Sequence, residues 1–237
     1  MDAAGYATLG RQSGLLREIA VVAHNIANAS TTGFRREGVI FSEHVRRMGE
    51  APSLSMANAH ARYMDMGAGG LVETGGRFDF AIKGEGFFLI ETPEGQQLTR
   101  AGSFTPNAEG EMVTPDGHRL LDAGGAPVFV PPDARAVSLA GDGTLAADGQ
   151  PLTRIGLWQP SDPLRLSHVA GSRFASPAGV VPQDDAVLLQ GFLEESNVNP
   201  VGEVARMIEV QRAYEMGQGL LDREDERIRA VIRTLGR

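Results

Sequence analysis

The stretch VVAHNIANASTTGFRRE, Val21 to Glu37, begins as the end of an apolar helix and finishes as something else. Asn25, Asn28, Ser30, Thr31 and Thr32 are small hydrogen-bonding residues; Gly33 follows, then Phe34, Arg35 and Arg36. Side chains of this kind satisfy the carbonyl and N–H groups that a helix end leaves without partners. Asn28 or Gly33 can take the left-handed conformation that stops a helix. The stretch therefore reads as a corner and not as a catalytic loop. Phe34 is expected to drop into an apolar contact, and Arg35, partly exposed, to meet with Arg36 acidic or polar groups on a neighbour.

Upstream of the corner, Tyr6, Leu9, Ser13, Leu16, Ala20, Ala23 and Ala27 alternate spacings of three and four, the seam of a helix that packs along another helix. Ile19, Val22 and Ile26 widen the stripe. At the far end Met207, Gln211, Tyr214, Gln218, Leu221, Asp225, Ile228, Ile232 and Leu235 repeat the alternation. Asn199 before Pro200 supplies an N-cap and a first-turn proline. A helix from there to the end would run roughly 50 Å, longer than a small domain can cover. Polar residues on such a seam, here Gln211, Gln218 and Asp225, specify register or a larger bundle.

Between the helices the pattern changes period. In GGRFDFAIKGEGFFLIE, Phe78, Phe80 and Ile82 alternate, Lys83 to Gly86 interrupt, and Phe88 and Ile90 resume, which predicts two strands around a hairpin turn. Asp116-Gly117, Asp142-Gly143 and Asp148-Gly149 mark further reversals. Phe78, Phe80, Phe88, Phe104 and Trp158 are the expected β core. The fold class expected is α+β. Residues 1–36 form an N-terminal helix, 37–75 an extended connector, 76–192 a central antiparallel β domain, and 193–237 a C-terminal helix that pairs in coiled-coil fashion with the first.

Composition restricts function. Formal net charge is −8 over 237 residues, which disfavours a broad nucleic-acid footprint. There is no cysteine, so disulfide frameworks and thiolate metal sites are excluded. MDAAGYATLG lacks the basic start and apolar core of a secretory signal, so no cleaved leader is expected; no apolar run reaches the length of a membrane span. The histidines at 24, 44, 60, 118 and 168 show no ligand spacing, so no metal site is expected. GEGFF lies between strands and lacks the third glycine of a dinucleotide fingerprint. No Gly-x-Ser-x-Gly elbow occurs, and Asn28-Ala29-Ser30 reads as a coincidental sequon. Asp184-Asp185 and Glu194-Glu195 raise general acid and base chemistry, but sequence neighbours in a strand face opposite ways, and solvated loops are the expectation. No catalytic residue and no cofactor is predicted.

Four stretches together carry a resemblance. VVAHNIANASTTGFRRE resembles the N-terminal signature of the bacterial flagellar rod and hook family. FDFAIKGEGFFLI and LTRAGSFTPNAEGEMVTPDGHRLLD resemble the start of that family's β domain, and GFLEESNVNPVGEVARMIEVQRAYEM resembles its C-terminal signature. Only Gly49 to Gly75 and Gly124 to Gly191 lack a match. The short chain is similar to a rod subunit of the proximal type, with a distal-rod or hook-type subunit as the alternative.

The resemblance implies a structural subunit in the periplasmic section of the basal-body rod. It implies export in the unfolded state through the flagellar type III apparatus, and a helical tube built with other copies and other rod proteins. The interface expected from the seams comprises Tyr6, Leu9, Leu16, Ala20 and Ala23 with Met207, Gln211, Tyr214, Gln218, Leu221, Ile228, Ile232 and Leu235. Asn25, Asn28, Thr31, Thr32, Gly33, Phe34 and Arg35 form the corner. A monomeric periplasmic binding module whose helices fold back on the β domain, and a peptidoglycan-acting enzyme resting on the acidic pairs, are the readings from other classes.

Overall fold

The computed structural model describes the backbone of residues 3–48 and 51–235, and the side chains of residues 8–40 and 62–234. The chain folds as α+β in two compact units. One comprises Met1–Ala27, Glu37–Tyr63 and Asn199–Arg237; the other comprises Asn28–Arg36 and Met64–Val198. The corner thus groups with the β unit and not with the helix before it, and the cut expected at residue 36 falls after Ala27.

The helical unit holds α1 (Ala3–Ala27) and α2 (Pro200–Leu235). Asn199 caps α2 as its sequence requires, its Oδ1 accepting from Gly202 N at 3.1 Å. Gln12, Leu15, Glu18, Val22 and Asn25 form the buried line of α1, and Glu203 and Val210 are the buried residues of α2. The helices run antiparallel, since Gln12 reaches Tyr214 while Asn25 reaches Glu203. The segment expected as an extended connector begins as two long strands, Glu37–Met48 and Ala51–Met64, paired with each other.

In the β unit the run Phe87 to Ile90 is buried throughout because its strand, Phe87–Thr92, packs on both faces. Phe88 and Ile90 enter one core with Phe80, Phe104 and Leu120, while Phe87 and Leu89 enter a second with Leu98, Leu121 and Phe174. Trp158 packs against the second core, half-buried. The hairpin predicted around Lys83 to Gly86 does not form. Phe80–Lys83 pairs with Val187–Gln190, and Phe87–Thr92 pairs with Gly95–Thr99, with Leu157–Trp158 and with Arg119–Leu120. The two strands thus enter different sheets, with Gly84 and Gly86 at φ +124° and +114° in the link between them. The three Asp-Gly reversals do close antiparallel pairs. At Asp148-Gly149 both residues are left-handed, φ 50° and 80°, the primed turn that matches strand twist.

Candidate functional site

The corner is built as its residue types dictate. Thr31 N and Thr31 Oγ1 donate to the backbone and side-chain oxygens of Asn28 at 3.0 and 3.1 Å, and Phe34 N donates to Thr31 O at 3.1 Å. Of the two candidates for the left-handed position, Gly33 takes it, with φ +69°. A Cβ there would stand 2.4 Å from Ala101 N and from Arg100 C, so the backbone approach itself demands glycine. Phe34 is fully buried against the His168 ring, centroids 4.9 Å apart, and His168 lies in turn edge-on to Phe174. His168 Nε2 lies 3.1 Å from Arg35 O, which makes this nitrogen the protonated donor.

Arg35 corrects the expectation of a partly exposed side chain facing a neighbour. It is fully buried, and its Nη2 lies 2.6 Å from Oε1 of Glu194, itself fully buried. Arg100 Nη1 approaches Glu194 Oε2 at 3.2 Å from the other side, and Gly69 N donates to Oε1 at 2.9 Å. One carboxylate thus serves two guanidiniums. Arg100 is further held by the carbonyls of Ile82 and Gly84 at 3.2 and 2.6 Å and lies 5.5 Å from the Phe87 centroid. Burial lowers the Arg100 pKa to about 10; Glu194 opposes that shift and Arg35 adds to it. Because folding lowers this value, the Arg100 charge costs stability at all pH below about 10, a cost relieved only as pH rises through the folded value.

Asn197 completes the corner by accepting from Arg36 N at 2.6 Å and donating to Asp65 O and Gly67 O. Glu194 is therefore a buried structural counter-ion to two arginines and not a solvated loop residue. No local signal in the sequence marks it, because 159 residues separate Arg35 from Glu194 and the adjacent Glu195 makes the pair look like a solvated acidic run.

The helix faces divide differently from the expected seams. Asn25 leaves the rest of the corner set and clasps Glu37 through both its N–H and its carbonyl, at 2.9 and 2.8 Å, while also donating to Glu203 Oε2 at 3.1 Å. Met207, Tyr214 and Leu221 are half-buried, whereas Gln211, Gln218 and Ile232 are exposed, and Ile228 is 38% exposed. On α1, Leu9 and Leu16 are 46% and 50% exposed, and Ala20 and Ala23 are exposed as well. The side chains of Tyr6 and Leu235 lie outside the described residues, as do those of His44 and His60. Within the chain α1 thus uses Gln12, Leu15 and Glu18 against α2 and leaves its Leu9–Leu16–Ala20–Ala23 stripe uncovered. The periodicity detected the more regular of two stripes.

The intrachain seam is polar in places. Gln12 Nε2 donates to Tyr214 O at 2.9 Å, and Gly217 leaves room for it, since a Cβ there would stand 2.2 Å from that nitrogen. Arg206 pairs with Glu18, Nε to Oε1 2.7 Å, and with Glu209 at 3.2 Å. Burial works against the Arg206 charge, but the hydrogen bonds and charges of Glu18 and Glu209 outweigh it and raise its pKa. This pair is half in solvent, so Arg206→Ala is expected to cost under about 1 kcal/mol in thermal unfolding followed by helical circular dichroism. Two adjoining grooves of 310 and 260 Å³ lie along the seam, with Arg11, Leu15 and Ala213 common to both, and Val210, Met216 and Leu220 completing their apolar lining. Among the described residues no three His, Asp or Glu side chains gather as metal ligands, and no helix is long and apolar enough to cross a membrane.

Comparison with known proteins follows this layout. Residues 6–35 match the flagella basal body rod protein family, residues 81–147 the flagellar hook protein FlgE/F/G D1 domain, and residues 189–234 the flagellar basal body rod FlgEFG protein C-terminal family. The chain is 40% identical to the flagellar basal-body rod protein FlgF of Mesorhizobium japonicum, covering 98% of this chain and 97% of that one. It is 37% identical to FlgF of Caulobacter vibrioides over 100% and 99% of the two chains, and 30% identical to the rod protein FlgG of Agrobacterium fabrum over 91% and 92%. With helix, corner, β unit and C-terminal helix all matched in order, the chain belongs to the flagellar basal-body rod protein family, as an FlgF-like member.

Proposed function

We propose that this chain, a structural subunit of the flagellar basal-body rod, polymerises by laying the helix faces it leaves uncovered against those of neighbouring subunits. The tube so formed would have the terminal helices at its interior, transmit torque along packed helices and conduct export substrates. Self-association, contact with other rod proteins and passage through the type III export apparatus belong to this reading. The observation that carries it is the exposed apolar stripe of α1, Leu9 and Leu16 with Ala20 and Ala23, opposite the face that α2 occupies. An uncovered stripe of small and apolar residues suits a third helix from another subunit, and the two adjoining grooves that share Leu15 and Ala213 offer further room along the helix pair.

The peptidoglycan-acting enzyme loses its footing, because Glu194 is neutralised and buried between two arginines. The test of assembly is a pair of variants. Leu16→Asp should leave helix content and β-unit stability unchanged while abolishing swimming and incorporation into purified basal bodies, because it sets a charge in a desolvated contact at a cost of several kcal/mol, on the order of a buried unpaired ion. Leu221→Asp should fail in the same assay, but through the intrachain seam, and therefore with lost helicity in the isolated chain. Normal motility from Leu16→Asp would remove the stripe from the interface.

A further inference from the structure

α2 outruns α1. The antiparallel register that joins Gln12 to Tyr214 and Asn25 to Glu203 brings the start of α1 to about the level of Glu224, and from Asp225 to Thr234 the described side chains of α2 are exposed. This tip has the wrong surface for a free helix end. Ile228, Val231 and Ile232 share one face at spacings of three and four. Charge also changes sign at its base. Glu215, Asp222, Glu224, Asp225 and Glu226 are acidic with Arg223 the one cation among them, whereas Arg227, Arg229, Arg233 and Arg237 follow without an acidic residue. The helix dipole favours cations in the last turn, but it accounts neither for the acidic block before them nor for the apolar face. Arg227 and Arg229 reach back to Glu224 and Asp225 at 2.5 and 2.7 Å, and exposed pairs of this kind exchange partners at little cost.

The acidic segment carries apolar residues to match. Met216 and Leu220 are 71% and 56% exposed, and they precede Ile228 and Ile232 by twelve residues each. We propose that the tip of α2 docks on the acidic segment of α2 in a second copy of this chain, the two helices parallel and offset by about twelve residues, about 18 Å along the axis. Ile228 and Ile232 then lie on Met216 and Leu220, Arg227 comes level with Glu215, and Arg233 comes level with Leu221, beside Asp222. Each copy has one acidic segment and one basic tip, so the contact is head-to-tail and propagates instead of closing. The proposal rests on assembly through helix faces and adds its axial register.

The absence of cysteine allows a direct test. Full chains carrying Met216→Cys and Ile228→Cys are mixed under mild oxidation, and disulfides between positions 216 and 228 should exceed those joining like positions by about tenfold. In sedimentation, reversing Arg227, Arg229 and Arg233 to Glu should weaken self-association by about tenfold, as should reversing Glu215, Asp222 and Glu226 to Arg, and mixing the two reversed chains should restore it. Helix content of each variant is checked by circular dichroism. Polymers that form without the 216–228 bond, or that ignore the reversals, overturn the register while leaving helix-face assembly standing. A wild-type chain that stays monomeric at every concentration overturns both.

Discussion

Replacing Glu194 by Ala is expected to destabilise the β unit by about 3–5 kcal/mol, the range seen when one partner of a buried ion pair is removed. Two guanidiniums would remain out of water with no carboxylate, and Arg35 has no second anchor of comparable strength, since its Nε and Nη1 find no acceptor among the described residues. Glu194→Gln keeps the shape and one acceptor but not the charge, and should recover only a minor part of the loss. Arg35→Ala should also be costly, contrary to what an exposed corner would give. Replacing Arg35, Glu194 and Arg100 together by apolar residues of similar volume should be milder than Glu194→Ala alone, because no unpaired charge is left behind. Trp158 is the single tryptophan of the chain and lies in the β unit, so its fluorescence in a denaturant titration reports this unit specifically.

The second large effect is expected at Gly33. Gly33→Ala must hold an L side chain at φ +69° and place its Cβ 2.4 Å from two backbone atoms of Arg100 and Ala101. The left-handed conformation alone costs about 1–2 kcal/mol. The collision adds a displacement of the turn that delivers Arg35 to Glu194, so a total of about 3 kcal/mol or more is expected. Gly75 provides the control: φ is +67°, and a Cβ there would meet nothing within 4 Å. Gly75→Ala should therefore show the conformational cost alone, and the difference between the two variants measures the steric part. Equal losses would mean that the Gly33 turn can retreat from residues 100–101 at no cost.

The sequence made legible what is local. The cap at Asn199, the Asp-Gly turns and the two helices depend on near neighbours and appear where residue types put them. Gly33 and Phe34 behave as a turn glycine and an apolar anchor for the same reason. Partner choice was not legible. Strands Phe80–Lys83 and Phe87–Thr92 are adjacent in sequence yet pair with segments up to about a hundred residues away, and the alternation that marks a strand's faces says nothing of which segment lies at its edge. Arg35 looked exposed because its partner lies at the other end of the β unit. On α1 two stripes compete: Leu9, Leu16, Ala20 and Ala23 are evenly spaced, while the line that packs within the chain is broken by Gln12 and Glu18, whose polarity is absorbed by Tyr214 O and Arg206. Periodicity alone ranks the first stripe higher and cannot say which partner each one meets.

The uncovered stripe of α1 is best tested by thiol labelling in the cysteine-free chain. Leu15→Cys and Leu16→Cys place reporters on adjacent residues that face the intrachain seam and the exposed stripe, at 8% and 50% exposure. In the dilute chain a maleimide should modify position 16 rapidly and position 15 slowly, and in purified rods both should be protected. A thiol at position 16 that is shielded in the dilute monomer, or that stays reactive in the assembled rod, would contradict assembly through this face.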